Sequence, residues 1–312
     1  MTLEPAGQLR GVFAAVLTPL TAALEPNLKP FIAHCRWLLA NGCNGLAPLG
    51  TTGEANSLSL AQRLTLIEAA AAGGLPLGKF IIGSGSCALA DAVTLTRSIV
   101  ASGGGGALLL PPFYYKNPSE DGLFAFFSEV VQRVSDSRLR LYLYHFPHLS
   151  TVPITIPLIA RLKAAYGEII AGLKDSSGDW NNTATLLKEF PGFGVFSGSE
   201  EFLLDNLRAG GMGSISATTN VTAPLAQPVY AGWRTEKAAA LQKSLTEVRL
   251  LLQSFPAQAA LKEVVARLTG DAQWRTLLPP NMPLSPAQRS TLAQKLEALP
   301  QMRAVLSAAR AA

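Results

Sequence analysis

The residue with the clearest chemical potential is Lys174, which ends the apolar run Ile169–Lys174 and precedes the polar segment Asp175–Asp179. An amine at the end of a buried strand is partly shielded from water, and desolvation favours its neutral form. Because only a neutral amine attacks carbonyl carbon, this position suits Schiff-base formation. A lone lysine at a strand end can equally extend its ammonium group into solvent, so other residues must distinguish these two interpretations.

A second candidate is the segment Gly50–Glu54, with the sequence Gly-Thr-Thr-Gly-Glu, which follows another apolar run. Its glycines allow close approach of the backbone to a ligand, while N–H groups and two hydroxyls can donate to an anion. The pattern predicts a carboxylate-binding turn, although a capped helix start uses the same residue types.

Two further polar positions follow predicted strands. Tyr144 can transfer protons if its phenol is hydrogen-bonded to hydroxyls, or it can be an aromatic residue at the rim with its OH in water. Glu200 and Glu201 open a predicted helix, where carboxylates either contact a substrate or complement the helix dipole. The three histidines and three cysteines lack metal-ligand spacing, so we expect no metal and no organic cofactor.

Bulk composition limits the possible classes of protein. The chain has 312 residues, of which 48% are hydrophobic and 15% charged, which indicates a large core and excludes disorder. The net charge of +5 is spread without Lys/Arg blocks, so we expect no nucleic-acid partner. Glycine and proline interrupt every apolar run, which predicts no membrane span. The scattered cysteines suit a reduced, cytoplasmic environment.

Short apolar runs alternate with longer segments of helical period eight times. The predicted strands are Val12–Leu17, Gly45–Leu49, Phe80–Gly83, Ala107–Leu110, Leu139–Tyr144, Ile169–Lys174, Gly194–Ser197 and Gly213–Ser216. Continuous apolar strands alternating with amphipathic helices indicate a parallel sheet covered by helices. Eight such units predict an α/β fold, a closed (β/α)₈ TIM barrel.

The alternation stops near Pro224. We predict that residues 1–224 form the barrel and carry the active site, and that residues 225–312 form a C-terminal helical extension. This extension is expected to pack on the barrel flank or on a neighbouring subunit. Because active sites of such barrels lie at the carboxyl ends of the strands, the polar segments described above should converge there.

Three motifs occur in order at the ends of the second, fifth and sixth strands: Gly50–Glu54, Tyr144-x-x-Pro147 and Gly172–Asp175. Over about residues 11–224 the chain resembles the dihydrodipicolinate synthase / N-acetylneuraminate lyase family of class I (Schiff-base) aldolases. The resemblance implies that Lys174 forms an imine with the keto group of pyruvate or a related 2-keto acid. It implies that Tyr144 shuttles protons.

The same resemblance assigns further roles. Thr51 and Thr52 bind the substrate carboxylate and relay protons to Tyr144, with Gly50 in the same turn. Ile215, in the matching segment Gly213–Ser216, is expected among the substrate-binding residues. A tyrosine after the fourth strand is expected to reach in from a neighbouring subunit, which implies a homo-oligomer, a dimer or a homotetramer. Counting along the chain gives Tyr114 or Tyr115 for that residue.

Two positions depart from the synthase branch of the family. Leu149 stands where a synthase has an arginine that binds the second substrate's carboxylate, and His145 stands where that branch usually has asparagine. Loss of a bidentate arginine is not conservative. We therefore expect a catabolic lyase acting on a 2-keto-3-deoxy sugar acid or similar 2-keto acid, with Glu200 and Glu201 contacting its hydroxyls.

Three alternatives stay open. One is a 4-hydroxy-tetrahydrodipicolinate (dihydrodipicolinate) synthase, and the second is a 2-keto-3-deoxy sugar acid dehydratase that uses the same imine. The third is a catalytically silent relative that only binds a metabolite.

Overall fold

The computed structural model describes residues 8–311, with side chains up to residue 307. Eight parallel strands form one sheet whose order is β2-β1-β8-β7-β6-β5-β4-β3. A parallel bridge between Leu46 and Phe80 joins the two outer strands, so the sheet closes into a barrel. The strands are β1 (Gly11–Ala14), β2 (Gly45–Leu46), β3 (Ile81–Gly83), β4 (Gly106–Leu109), β5 (Leu141–His145), β6 (Ile170–Asp175), β7 (Gly194–Ser197) and β8 (Gly213–Ser216).

Helices cover the outside of this barrel. They are α1 (Leu28–Ala40), α2 (Leu60–Ala72), α3 (Leu89–Ala101), α4 (Glu120–Val134), α6 (Ile156–Tyr166), α7 (Trp180–Glu189), α8 (Leu203–Arg208) and α9 (Thr219–Gly232), and the short helix α5 (Pro147–Ser150) follows β5. The C-terminal helices are α10 (Ala238–Gln253), α11 (Ala257–Thr269), α12 (Pro286–Ala298) and α13 (Pro300–Ala311). The predicted (β/α)₈ barrel with a helical C-terminal region is therefore confirmed.

The strands are buried on both faces, as a barrel packed inside and outside requires. Inside, side chains including Phe13, Tyr142, Phe196 and Ile215 form one packed cluster. A larger apolar cluster fills the layer between strands and helices. Parallel strands with helical crossovers place all their carboxyl ends on one face of the molecule, and this face carries the candidate site.

The observed strand limits explain where the chain leaves the sheet. β7 and β8 have the predicted limits, but β1 ends at Ala14 and β2 at Leu46, before the predicted ends at Leu17 and Leu49. The residues beyond these strands stay buried, and some still pair with the neighbouring strands. The Ala15 N–H donates to the Ser216 carbonyl at 2.9 Å, and the Val16 N–H donates to the Ala47 carbonyl at 3.1 Å. Apolar character and single backbone hydrogen bonds therefore extend past the continuous ladder, which lengthens a strand predicted from hydrophobicity.

Two helical boundaries also differ from the prediction. The predicted helix that begins at Glu200 divides into a 3₁₀ turn at Glu200–Phe202 and the helix α8. The predicted boundary at residue 224 falls inside α9, which contains Pro224 and continues to Gly232. The eighth barrel helix thus extends beyond the predicted start of the C-terminal extension.

The C-terminal helices join the barrel through their own apolar cluster. Leu17 and Val221 of the barrel pack there with Val248 of α10 and Leu261 of α11. Within residues 8–311, no helix has both the length and the apolar character needed to cross a membrane.

Candidate active site

Lys174 and Tyr144 lie side by side because their strands pair in register. β5 and β6 are parallel neighbours, with Tyr144 opposite Lys174 and His145 opposite Asp175. The Lys174 Nζ atom donates a hydrogen bond to the Tyr144 hydroxyl at 3.3 Å and lies 4.4 Å from the centre of its ring. Only 5% of Lys174 is exposed. The structure therefore brings together a shielded amine and a phenol at the carboxyl end of the barrel.

Gly172 explains why this pair can be so closely packed. A Cβ atom at this position would collide with the Gly194 carbonyl and with the Tyr142 ring. The absence of a side chain lets β6 fit between β5 and β7 two residues before Lys174.

The pair opens into a cavity of about 610 Å³, a size typical of small-molecule sites. The residues that line it come from both the strand ends and the C-terminal helices. They are Thr51, Thr52, Glu54, Asn56, Ser57, Tyr144, Phe146, Leu149, Lys174, Asp175, Ser176, Gly178, Thr183, Gly198, Ser199, Phe202, Ala217, Arg249, Ala257, Gln258, Pro280 and Asn281.

The turn at residues 50–54 places Thr51 and Thr52 on the cavity wall. It is held from two sides, because Thr18 Oγ1 donates to the Gly53 carbonyl at 2.8 Å and Gln258 Nε2 donates to the Thr51 carbonyl at 3.3 Å. Two threonines therefore line the same cavity as the amine.

Glu54 fixes this turn to the C-terminal helices. Its backbone is left-handed (φ 57°), and its buried carboxylate lies 2.5 Å from Lys262 Nζ of α11. The other carboxylate oxygen accepts a hydrogen bond from the Leu278 N–H at 2.7 Å, and Lys262 also donates to the Thr276 carbonyl at 2.8 Å. Burial lowers the pKa of Lys262, and the Glu54 charge opposes this shift. Glu54 therefore acts as a structural anion of the turn.

Both carboxylate oxygens of Asp175, next to Lys174, have hydrogen-bond donors. One carboxylate oxygen accepts from the Ser177 N–H at 2.9 Å. The other accepts from Asn182 Nδ2 at 2.9 Å and from Thr183 Oγ1 at 2.6 Å. This network holds the end of β6 and thereby the position of Lys174.

The two histidines near the site have different surroundings. His145 is buried, and its Nδ1 atom accepts a hydrogen bond from the Ile154 N–H at 3.0 Å, which leaves the proton on Nε2. Burial lowers the pKa of His145, opposed by the charge of Asp175. His148 lies on α5 and donates from Nε2 to the Ser177 carbonyl at 2.6 Å.

Leu149 lies on the same short helix at the cavity mouth, with 59% of the residue exposed. Pro147 starts this helix at its first position, where a proline has no N–H to lose. The position at which a synthase arginine was expected therefore faces the cavity and carries an apolar side chain.

Glu200 requires a correction, because the structure places it outside the cavity. It is fully buried, and its carboxylate accepts hydrogen bonds from Thr218 Oγ1 at 2.6 Å, from Thr222 Oγ1 at 2.7 Å and from the Thr219 hydroxyl. These three donors engage both carboxylate oxygens and fix the loop after β7 to α9. Glu200 is a structural residue in this geometry.

Three other predicted binding residues lie away from the main cavity wall. Glu201 is partly buried beside Glu200, with its carbonyl accepting from Gln242 Nε2 at 3.2 Å. Ile215 is buried inside the barrel with Phe196. Gly50 lines a much smaller adjoining space together with Thr51 and Tyr144.

Tyr114 and Tyr115 project from the loop between β4 and α4. They are 73% and 79% exposed, and their rings touch each other edge to face at 5.3 Å between centroids. Neither lines the main cavity of its own chain. Large exposed aromatic residues of this kind are typical of contact surfaces.

Five lining residues from the C-terminal region were not predicted. They include Arg249 of α10, Gln258 of α11 and Asn281 after the proline pair. Arg249 shares a face of α10 with Leu245 and Leu252, which are buried. A charged residue between two buried leucines of one helical face was the available signal. Across residues 8–307, no three His, Cys, Asp or Glu side chains come together as a metal-binding group.

A (β/α)₈ barrel with a shielded lysine beside a tyrosine at its carboxyl end is suited to the Schiff-base chemistry of class I aldolases and lyases. Comparison with known proteins identifies the family. The model of the dihydrodipicolinate synthetase family matches residues 8–299, so the chain belongs to this family.

Individual relatives agree with this assignment. An uncharacterized DapA-like lyase of Chloroflexus aurantiacus is 34% identical over 278 residues, covering 88% of this chain and 92% of the relative. The 4-hydroxy-tetrahydrodipicolinate synthase of Listeria welshimeri is 32% identical over 256 residues, covering 80% and 86% of the two chains.

Solved structures show the same fold. The dihydrodipicolinate synthase of Agrobacterium tumefaciens superimposes with a TM-score of 0.86 at 31% identity, covering 93% of this chain and 99% of that one. A prophage protein of the same family from E. coli K12, in complex with pyruvate, gives a TM-score of 0.85 at 26% identity, covering 93% and 98%.

Proposed function

We propose that the protein is a Schiff-base-forming lyase that cleaves or forms a carbon–carbon bond of pyruvate or a related 2-keto acid. The observation that carries this proposal is the contact of 3.3 Å between Lys174 Nζ and the Tyr144 hydroxyl at the floor of the cavity. The pyruvate complex of the E. coli relative supports a 2-keto acid as the substrate.

The chemistry begins at Lys174. Its neutral amine attacks the keto carbon, and the keto oxygen leaves as water to give an iminium ion. Thr51 and Thr52 hold the adjacent carboxylate through hydroxyl and backbone N–H donors. The iminium then acts as an electron sink for the bond that breaks next.

Tyr144 transfers the protons in this reaction. During cleavage, the hydroxyl proton on C4 passes to the tyrosine oxygen, whose own proton moves to a neighbouring hydroxyl. The C3–C4 bond breaks, the aldehyde leaves, and the electron pair forms an enamine. A proton returns to C3, and one water molecule hydrolyses the imine to release pyruvate and the free amine.

We further propose a homo-oligomer, in which Tyr114 or Tyr115 completes the proton relay in the site of a neighbouring subunit. Their exposure and their absence from the lining of their own chain's main cavity support this arrangement. An oligomer is also consistent with a cytoplasmic enzyme of this family.

The substrate we favour is a 2-keto-3-deoxy sugar acid or a similar 2-keto acid. Leu149 supports this choice, because a synthase-type arginine at this position would face the cavity mouth. Loss of that charged contact costs about 1.5–3 kcal/mol, or about 10–150-fold in specificity. Because 4-hydroxy-tetrahydrodipicolinate synthases are among the relatives, that synthesis is the second candidate function.

The test compares two reactions under the same conditions. We expect cleavage of 2-keto-3-deoxy sugar acids to release pyruvate, while condensation of pyruvate with aspartate semialdehyde is slow. Leu149→Arg should raise the rate with aspartate semialdehyde, whereas Leu250→Arg, which adds the same charge at an exposed site on α10, should not. Efficient condensation by the unmodified protein and no sugar-acid cleavage would assign it to the synthase branch. Water loss without pyruvate release would identify a dehydratase.

A further inference from the structure

Arg249 brings a positive charge from the helical region to the wall of the cavity. Its Nε atom donates to Ser199 Oγ at 3.3 Å, and this is its only hydrogen bond within the described part of the chain. No carboxylate of the described residues lies within ion-pair distance of it. In contrast, Arg267 and Arg275 both pair with Glu263. The terminal amino groups of Arg249 are therefore available to a ligand.

The position of Arg249 is fixed by its helix. Gln242, two turns earlier on the same face, donates from Nε2 to the Glu200 carbonyl at 2.8 Å and accepts from the Leu204 N–H at 3.1 Å. Leu245 and Leu252 on this face are buried. Packing thus holds the guanidinium against the loop after β7, and a preorganised group loses little entropy when it binds a ligand.

The acidic residues of the cavity do not provide its counter-charge. Glu54 is neutralised by Lys262, and Asp175 accepts hydrogen bonds from three donors. A guanidinium at a half-buried site without an anionic neighbour is suited to binding an oxyanion through two parallel hydrogen bonds.

The location of this charge complements the imine site. Lys174 and the Thr51-Thr52 turn occupy the barrel side of the cavity, whereas Arg249 comes from α10. On the α5 side, the lining residue Leu149 is uncharged. A substrate anchored at Lys174 therefore meets its second positive group on the helical side.

We propose that Arg249 binds a carboxylate on the aldehyde fragment of the substrate, so that the preferred substrates are 2-keto acids with a second, distal carboxylate. This inference rests on the proposed function and narrows its substrate class. Aspartate semialdehyde also ends in a carboxylate, but the ammonium group on the same carbon would repel the guanidinium. The inference is therefore limited to distal carboxylates without an adjacent cation, and the expectation that aspartate semialdehyde is poor stands.

The test uses aldehydes matched in length, one member ending in a carboxylate and the other in an alcohol. The pairs are glyoxylate and glycolaldehyde, tartronate semialdehyde and glyceraldehyde, and succinate semialdehyde and 4-hydroxybutanal. Condensation with pyruvate gives kcat/KM for each aldehyde. We expect the unmodified protein to favour the acid in at least one pair, and Arg249→Gln to lower kcat/KM for that acid by about 10–150-fold. The rate with its alcohol partner should change less than about threefold.

Two further variants control for charge and folding. Arg249→Lys keeps the charge but loses the bidentate geometry, so it should retain part of the preference. Arg208→Gln removes an exposed arginine outside the cavity and should behave like the unmodified protein. An equal loss with acid and alcohol, or no loss with either, would overturn the proposal.

Binding separates this inference from the proposed function. The affinities of the dicarboxylates from succinate to adipate are measured by calorimetry, which requires no imine. At least one dicarboxylate should bind Arg249→Gln more weakly by a similar factor, even if borohydride fails to trap pyruvate on the protein. Unchanged affinities across the series would contradict the proposed carboxylate site at Arg249, whatever the outcome of borohydride trapping.

Discussion

The two walls of the active-site cavity are fixed by different kinds of interaction. On the barrel wall, Tyr144 and Lys174 are opposite each other because β5 and β6 pair in register. On the helical wall, Arg249 and Gln258 are placed by side-chain packing and by single hydrogen bonds. The ladder positions the groups proposed for imine chemistry, and the helices position groups that face the remainder of a substrate. Substitutions on the two walls should therefore have separable effects.

The largest effect is expected on the barrel wall. Tyr144→Phe keeps the ring against Lys174 but removes the phenol, so turnover should fall by about 10²–10⁴-fold, the usual contribution of a positioned acid–base group. Trapping of pyruvate by borohydride should be nearly unchanged. Steady-state rates and mass spectrometry measure the two quantities. Full turnover in this variant would show that the barrel wall does not use Tyr144 for proton transfer.

The next effect concerns the ion pair that joins the two walls. Lys262→Met leaves the Glu54 carboxylate buried without its cation, which should cost about 3–5 kcal/mol in the free energy of unfolding. Urea denaturation measures this loss.

The double variant Glu54→Gln/Lys262→Met is the matched control for that measurement. It removes both charges and should recover most of the stability, because breaking a buried pair costs more than replacing it. A loss below about 1 kcal/mol in the single variant would mean that the walls are held together by other contacts.

A smaller effect comes from His34, which joins α1 to α9 and to Trp274. Its Nε2–H donates to Asn220 Oδ1 at 3.0 Å, and the Trp274 ring lies 5.0 Å away between centroids. Burial lowers the pKa of His34 to about 4. As the pH is lowered, His34 of the unfolded chain therefore binds a proton near pH 6.5, whereas His34 of the folded protein binds it only near pH 4.

The contribution of His34 to the free energy of unfolding is full above pH 6.5 and decreases as the pH is lowered from 6.5 to about 4. The loss should be about 2 kcal/mol at pH 5 and about 3 kcal/mol at pH 4. Comparing urea unfolding of the unmodified protein and of His34→Gln over this range isolates the contribution. The same pH dependence in both proteins would contradict it.

The difference between the walls also explains which features the sequence predicts. The strand rhythm, the limits of β7 and β8 and, to within one residue, the ends of β5 and β6 follow from local hydrophobic patterns. Two of the three motifs lie at the ends of β5 and β6. Lys174, Tyr144, Thr51 and Thr52 thus line one cavity in both the prediction and the structure.

Other features depend on contacts between distant residues. Glu200 was expected at the substrate, but it is held by threonine hydroxyls 18 to 22 residues later in the chain. Local sequence predicts the helix dipole at Glu200 but not those partners. Arg249 was missed because the face that a C-terminal helix presents to the cavity depends on how it packs on the barrel. The four-residue helix that carries Leu149 was missed because Pro147 is typical of a turn as well as of a helix start.

The most direct measurement is the identity of the lysine that forms the imine. The protein is incubated with pyruvate, reduced with borohydride, and its peptides are analysed by mass spectrometry, with Lys116 and Lys163 as internal controls. We expect one reduced pyruvate adduct on the peptide that contains Lys174, and none on the controls. An adduct on another lysine, or full turnover with Lys174 unmodified, would contradict the proposal that Lys174 carries the chemistry.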